Sequence, residues 1–309
     1  MVTSTDSGLA VPDWPLSYGQ VMPPMVGGIF YEHGHRMVAT TVGFLTIILA
    51  VWLWRKEQRR WLRNLGWIAL ALVITQGILG GITVLFLLPT PISVAHAATA
   101  QLFFCLTIVI AIATSSYWTR GRRGSHVPDR VRSLTLISGL LVFLQLIAGA
   151  VMRHTQSGLA IPDFPLSYGS WLPPFSDLVV PAVNNMRLAD DLPPVTLSQI
   201  WIHFIHRIGA IVVSVAIVMT TRAILRFASE HRVLRDTAVG VFVLLCFQVL
   251  LGMLTVWTGK NIQVTTAHVA TGALLLGGMA MLIMLTYPPV RNGVSQRDHV
   301  SSHVEGVPA

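Results

Sequence analysis

Cysteine is scarce in this sequence, and so is charge. The two cysteines, Cys105 and Cys246, both lie inside apolar stretches, and no CxxC or CxxCH pattern occurs. These absences argue against a disulfide framework, a thiolate metal site and a covalently attached c-type heme. Charged residues make up 11% of the chain, whereas ordinary soluble domains contain about 25%. The deficit argues against a soluble globular protein.

What the sequence has in quantity is apolar residues. They make up 53% of 309 residues, and the mean hydropathy is +0.66. A helix of about 20 apolar residues crosses a bilayer core of about 30 Å. Seven stretches are long enough: 31–54, 65–88, 92–118, 132–152, 199–221, 237–257 and 264–286. The sequence therefore predicts an all-α polytopic membrane protein in contact with membrane lipid.

Basic residues predict the orientation of these spans. Of the 21 Lys and Arg residues, 16 follow the first, third, fifth and seventh spans. Because cytoplasmic loops are enriched in Lys and Arg, these loops face the cytoplasm, and the N-terminal segment and the 153–198 loop face outward. The net charge of +8 is thereby explained by topology, and no nucleic-acid partner is expected.

The chain also repeats itself. Residues 5–24 return at 155–174 with 14 of 20 positions identical, and QGILGGITV at 76–84 returns as QVLLGMLTV at 248–256. Two tandem helix bundles are therefore predicted. We divide the chain into an N-terminal repeat (1–118), a cytoplasmic linker (119–131), a C-terminal repeat (132–287) and a cytoplasmic tail (288–309). The second repeat begins with an extra span, 132–152, that has no equivalent before the first repeat. Either the first repeat has lost this helix or the sequence starts inside a longer chain, and we favour a missing upstream helix.

Four histidines occupy matching positions near the outer ends of their spans. His35 and His96 lie 61 residues apart in the first repeat, and His206 and His268 lie 62 apart in the second. Two parallel helices that each offer one imidazole at one depth suit a heme with two axial histidines. Zinc or copper needs three or four ligands, and neither repeat offers such a set. A single membrane histidine is often only a hydrogen-bonded interior residue, but polar residues in a membrane often mark function.

The residues around the first histidine of each pair differ between the repeats. Glu32 lies three residues before His35, and His203 takes the same place before His206. We interpret Glu32 as an acid–base group, with pairing to Arg36 or to His33 as the alternative. The imidazole of His203 either forms a hydrogen bond or competes with His206 as the ligand. His33 is out of phase with His35 on a helix, and its role stays open.

Two arginines follow the ligand candidates, and two aspartates repeat in the outward loops. Arg36 and Arg207 either contact heme propionates or extend toward the interface as ordinary arginines. Asp13 and Asp163 occupy identical places in loops rich in Pro and Gly, so we expect them to hold the loop structure.

At this point the residues resemble the heme A synthase family. The resemblance rests on the SGLxxPDWPL-type loop, the Glu32–His35–Arg36 element and the three other histidines, and it covers nearly the whole chain. It implies eight helices in two halves and the oxidation of a ring methyl of heme O to a formyl group. It also implies that His206 and His268 ligate a heme b cofactor, that His35 and His96 hold the substrate heme, and that Glu32 is catalytic.

Two departures from the family pattern matter. The first family helix is absent, so this chain has seven spans rather than eight. Some members carry a cysteine pair in the first outward loop, which here holds residues such as Val11 and Ser17. A thiol-based step in that loop is therefore excluded for this chain.

The sequence thus predicts a heme A synthase that supplies heme A to terminal oxidases. It is expected in a cell (inner) membrane, bacterial rather than mitochondrial, with heme O synthase, an electron donor and a second copy of the chain as possible partners. The main alternative is a non-enzymatic di-heme b membrane electron carrier, which would need no difference between Glu32 and His203. A heme transporter is a third interpretation.

Overall fold

The computed structural model describes residues 2–5, 7–119, 127–227 and 231–287, and it is all-α within these ranges. Its principal helices are α1 (Gly27–Lys56), α2 (Arg60–Leu85), α3 (Thr90–Thr114), α4 (Asp129–His154), α5 (Val180–Ala189), α6 (Leu197–Phe227), α7 (Arg232–Trp257) and α8 (Ile262–Thr286). One-turn helices occur at Val2–Thr5, Ser116–Thr119 and Asp177–Val179.

The predicted membrane spans are confirmed as helices. Seven of the described helices are long and apolar enough to cross a membrane, namely all of the principal ones except α5. Most extend a few residues beyond the apolar stretches, because polar residues at helix ends also satisfy backbone hydrogen bonds. The third span ends sooner than predicted, at Thr114, and a separate turn follows at Ser116–Thr119.

Some predictions concern residues outside the described ranges. These are most of the 119–131 linker with Arg120, Arg122 and Arg123, and the 288–309 tail with Arg291 and Arg297. The division of the chain into repeats, linker and tail stays a prediction.

The two halves pack differently. In the second half α4 contacts α6, α6 contacts α7, α7 contacts α8, and α8 returns to α4, which closes a four-helix ring. In the first half α1 contacts α2 and α2 contacts α3, and α3 then packs on α4 and α8 of the other half. The first half is therefore an open row of three helices joined to a closed bundle.

Helix α8 is the central element because its glycines allow three neighbouring helices, α3, α4 and α7, to pack closely against it. A Cβ on Gly277 would lie 2.7 Å from Ile108 and 2.9 Å from Phe104 of α3. A Cβ on Gly272 would lie 2.9 Å from Leu146 of α4, and one on Gly278 would lie 2.7 Å from Val241 of α7. Small residues allow such close helix packing in membranes, where lipid tails already solvate apolar side chains.

The repeated outward loops have the same structure in both halves. The Asp13 carboxylate accepts bonds from the backbone N–H groups of Tyr18 (2.7 Å) and Gly19 (2.8 Å), and the Tyr18 hydroxyl donates to the Ala10 carbonyl (2.7 Å). The peptide before Pro15 is cis, as is the one before Pro165. The second loop repeats the three bonds with Asp163, Tyr168, Gly169 and Ala160. The loop-holding role predicted for the aspartates therefore agrees with the observed hydrogen bonds.

Candidate functional site

The structure brings the four histidines together as two pairs. His35 on α1 interacts electrostatically with His96 on α3, and His206 on α6 does so with His268 on α8. In the closed bundle α6 and α8 are diagonal partners, since α4 and α7 lie between them. Each pair therefore stands on two different helices of one half, as the axial ligands of one flat macrocycle do.

Three of these imidazoles lie against a glycine of the neighbouring helix. A Cβ on Gly80 would meet Cε1 of His96 at 3.2 Å, and one on Gly252 would meet Cε1 of His268 at 3.1 Å. A Cβ on Gly149 of α4 would meet Cε1 of His206 at 3.2 Å. Because glycine has no side chain, these three rings can lie close to the backbone of the neighbouring helix.

Glutamine side chains contact two of the four imidazoles. The Gln76 amide nitrogen lies 3.2 Å from Nε2 of His96. The Gln145 amide lies 3.2 Å from Nδ1 of His206 and donates to its carbonyl at 2.8 Å. Sequence reasoning missed these residues, although Gln76 and Gln248 open the repeated QGILGGITV and QVLLGMLTV segments and could have been found there.

Buried polar atoms without partners cluster beside the histidines. Among the described residues, eight buried side-chain N or O atoms have no hydrogen-bond partner, and six of them are repeat-related: Oε1 of Gln76 and Gln248, the hydroxyls of Ser93 and Thr265, and Nδ1 of His96 and His268. Unpaired buried polar atoms are rare in native proteins and often mark an interaction with a ligand. Together with the two imidazoles of each half, they fit a bis-histidine heme in each half. No group of three or more His, Cys, Asp or Glu residues within the described ranges could hold a bare metal ion.

In the first half, Glu32 and Arg36 fasten the outward loop to α1. Glu32 is 3% exposed, and its Oε2 accepts from the Val11 N–H at 2.8 Å while its Oε1 binds Arg36 at 2.6 Å. Arg36 also donates to the carbonyls of Asp13 (2.8 Å) and Leu16 (2.7 Å). The carboxylate and the guanidinium thus neutralise each other beneath the loop.

In the second half, His203 and Arg207 occupy the same positions. The His203 ring lies between two donors, with Nδ1 3.2 Å from the Ile161 backbone nitrogen and Nε2 3.2 Å from Nε of Arg207. A neutral imidazole accepts from one of them at a time. Arg207 donates to the carbonyls of Leu166 (2.8 Å) and Asp163 (2.7 Å). These contacts direct the His203 ring to the loop. The contacts of Arg36 and Arg207 with heme propionates stay predictions.

Two further polar residues lie under the loops. Nδ1 of His33 is 2.8 Å from the Ser17 hydroxyl, so this residue contacts the loop, while the second repeat has Phe204 at its place. Arg187 of α5 is 2% exposed and donates to the carbonyls of Leu159 and Pro193, both at 2.9 Å. Sequence reasoning missed Arg187, because it lies in the 153–198 loop, which has no counterpart of that length in the first repeat.

Comparisons with known proteins agree with this geometry. The chain is 26% identical to the heme A synthase of Halalkalibacterium halodurans over 289 residues, which cover 92% of this chain and 90% of that protein. It is 26% identical to the heme A synthase of Lysinibacillus sphaericus, with 92% and 88% covered. It is 27% identical to that of Shouchella clausii, with 81% and 90% covered.

The family pattern of the cytochrome oxidase assembly proteins, COX15-CtaA, matches residues 25–280. This match contains all seven long helices in whole or nearly so, both pairs of histidines and both loop anchors on α1 and α6. The chain therefore belongs to the COX15-CtaA family of cytochrome oxidase assembly proteins, which confirms the heme A synthase family predicted from its sequence.

Proposed function

We propose that this chain is a membrane oxidoreductase that converts heme O to heme A by oxidising a ring methyl to a formyl group. The observation that carries the proposal is one interacting imidazole pair in each half, beside repeat-related buried polar atoms that lack a partner among the described residues. The relatives of the chain are named heme A synthase. One pair serves a resident cofactor and the other serves the substrate.

The second half holds the cofactor, heme b, through His206 and His268. Its closed ring of helices favours a permanently bound group, because α4 covers His206 with Gly149 and the Gln145 amide. When bound, heme b supplies one-electron redox chemistry. The residues of this half fix the depth and the plane of the macrocycle and exclude water from it.

The first half binds heme O through His35 and His96. The half that carries Glu32, rather than the one that carries His203, is assigned the substrate because a carboxylate can exchange protons during the oxidation.

Glu32 is the acid–base residue of the first half. Its position three residues before His35 places it on the same helical face as the ligand. Buried under the loop, it can take up and release protons during the stepwise oxidation, while Arg36 holds it in place. The imidazole of His203, at the equivalent place, contacts the loop backbone and Arg207 in the same way.

The cellular setting follows from the same proposal. The chain is a multi-pass membrane protein with bacterial relatives, and we place it in the bacterial cell (inner) membrane. Its partners there are heme O synthase, which delivers the substrate, and an electron-transfer protein or quinone. A second copy of the chain is a further candidate.

Pigment analysis tests the function directly. The chain is expressed in a host that makes heme O but no heme A, and extracted hemes are separated by chromatography. Heme A in these membranes, and its absence from membranes with empty vector, is the expected result. Heme b as the sole heme bound to the purified protein, with no heme A formed, would instead support a di-heme electron carrier.

A further inference from the structure

We propose that Ser93 and Thr265 are positioning residues for the two histidines on α3 and α8. Each hydroxyl accepts a hydrogen bond from the Nδ1–H of the histidine three residues later, His96 or His268. The inference rests on the proposed function, because it takes these histidines as heme ligands. The bond would determine which ring nitrogen faces the iron and how strongly it donates.

The placement of the hydroxyls is the first argument. Ser93 precedes His96 in SVAH, and Thr265 precedes His268 in TTAH. Both lie in the first turns of their helices, α3 and α8. Residues three apart share a helical face, and helical side chains lean toward the N-terminus. Each imidazole can therefore reach the hydroxyl one turn earlier by side-chain rotation, although no hydrogen bond joins the two in the structure.

The second argument is that all four atoms are buried and unpaired. Within the described residues, Oγ of Ser93, Oγ1 of Thr265 and Nδ1 of His96 and His268 have no hydrogen-bond partner. An unpaired buried polar group costs about 1–3 kcal/mol, and each hydroxyl and ring nitrogen can satisfy the other. Because the same pair recurs in both halves, a packing accident in one half does not explain it.

The chemistry of a ligating imidazole supplies the third argument. When Nε2 binds iron, Nδ1 carries the proton, and metal-bound histidines almost always donate this proton to a neighbouring acceptor. The acceptor makes the imidazole a stronger donor, which favours the ferric state and lowers the reduction potential. The backbone carbonyls of Gln76 and Gln248 also interact with His96 and His268 and are the competing acceptors, because a carbonyl in a helix keeps a second lone pair. The hydroxyls of Ser93 and Thr265 differ from them in having no other partner among the described residues.

The test uses the purified full-length protein with its heme. Thr265→Val keeps the shape of the side chain and removes the acceptor. We expect it to retain low-spin heme b with a raised midpoint potential and a changed EPR spectrum. Transfer of heme to apomyoglobin should become about tenfold faster, which is the lower end of the 10–100-fold effect of outer-shell partners on metal affinity. Thr265→Ser should restore all three values. Thr255→Val is the matched control, because the Thr255 hydroxyl bonds to the Leu251 carbonyl of its own helix at 2.8 Å.

The outcomes separate this inference from the proposed function. If Thr265→Val matches Thr255→Val in potential, EPR spectrum and heme transfer, the Thr265 hydroxyl is not the acceptor and the inference fails alone. If His268→Ala keeps the wild-type spectrum, His268 is no ligand, and both the ligand assignment and the inference fail.

The first half offers an independent arm. Ser93→Ala should weaken binding of added heme O about tenfold in a spectroscopic titration, and Ser93→Thr should not, because threonine stands there in the other half. Thr99→Val, whose hydroxyl bonds the Ala95 carbonyl at 2.8 Å, is the control. Equal binding by Ser93→Ala and Thr99→Val would overturn the inference for this half.

Discussion

The two halves of the molecule hold the same outward loop with different chemistry. In the first half Glu32 and Arg36 form an ion pair beneath the loop, while in the second half His203 and Arg207 make the corresponding contacts. The backbone donors, Val11 and Ile161, are equivalent in the repeat. A carboxylate and an imidazole therefore both serve as loop anchors, but the carboxylate accepts from the backbone N–H and the arginine together, whereas a neutral imidazole accepts from one of them at a time.

The difference between the anchors lies in charge and proton exchange. The first half contains a buried ionic pair, with side-chain exposures of 14% for Arg36 and 4% for Glu32, whereas the corresponding anchor in the second half is an imidazole. Since an imidazole suffices to hold the loop, the loop alone does not require the carboxylate of Glu32. We therefore attribute the carboxylate to the chemistry of the substrate half.

The largest expected difference between the halves concerns bound heme. His206→Ala or His268→Ala removes an axial ligand, so heme b should be lost or become high-spin. His35→Ala and His96→Ala should leave heme b in place and abolish heme A formation. Optical and EPR spectra of the purified variants measure this contrast. Equal loss of heme b from both sets would contradict the division of roles.

The second contrast compares Glu32→Gln with His203→Gln. The amide can still accept from the Val11 N–H and from Arg36, but it cannot exchange protons near neutral pH. Heme A formation should fall at least about 10²-fold in Glu32→Gln, with heme O or a partly oxidised heme accumulating and heme b content unchanged. His203→Gln should mainly alter the heme b spectrum or potential. Undiminished heme A production by Glu32→Gln would leave Glu32 as a loop anchor only.

A third contrast concerns stability. Arg36→Met leaves the buried carboxylate of Glu32 without its cation, which costs about 3–5 kcal/mol. Arg207→Met leaves an imidazole and several carbonyls unpaired, which costs about 1–3 kcal/mol. Unfolding of the two variants in a denaturing-detergent titration measures the difference.

The double variant Glu32→Gln/Arg36→Met is the control for this contrast. It should recover part of the lost stability, because it no longer buries an unpaired charge. A double variant as unstable as Arg36→Met would show that the ion pair does not cause the difference in stability between Arg36→Met and Arg207→Met.

The smallest expected effect is the response of the first loop to acid. The backbone N–H of Gly19 is the largest cause that lowers the pKa of Asp13 below its usual value of 3.8. Burial opposes it, and the N–H of Tyr18 adds to the lowering. Because the folded pKa is depressed, the contribution of Asp13 to loop stability is present above about pH 4 and is lost as the pH falls through the folded value.

Hydrogen exchange of the loop amides measures this response. The protection factors of the Tyr18 and Gly19 amides should fall at acid pH in the wild-type chain. In Asp13→Asn they should be low at every pH, whereas Asp163→Asn should leave them unchanged. Protection of these amides that does not change with pH in the wild-type chain would show that Asp13 does not control the loop.

Much of the fold could be predicted because its signals are local. Span lengths depend only on runs of apolar residues, and the histidine pairs emerged from the repeat and from similar depth in parallel spans. The contacts of Arg36 and Arg207 could not be predicted, because they depend on how the loop folds back over its helix. Gln145 and Gly149 were missed for a similar reason: their proximity to His206 depends on the rotation of α4 about its axis.

The sequence alone therefore determined the class of protein, its duplicated plan, its family and the identity of the four candidate ligands. These features are encoded in residue type and spacing, which can be determined without knowledge of any contact. The tertiary structure decided which half is a closed ring, which imidazoles lie on glycines, and that Glu32 and His203 bind the same loop position. It did so because packing between helices and the return of a loop onto its helix bring together residues that sequence spacing cannot relate.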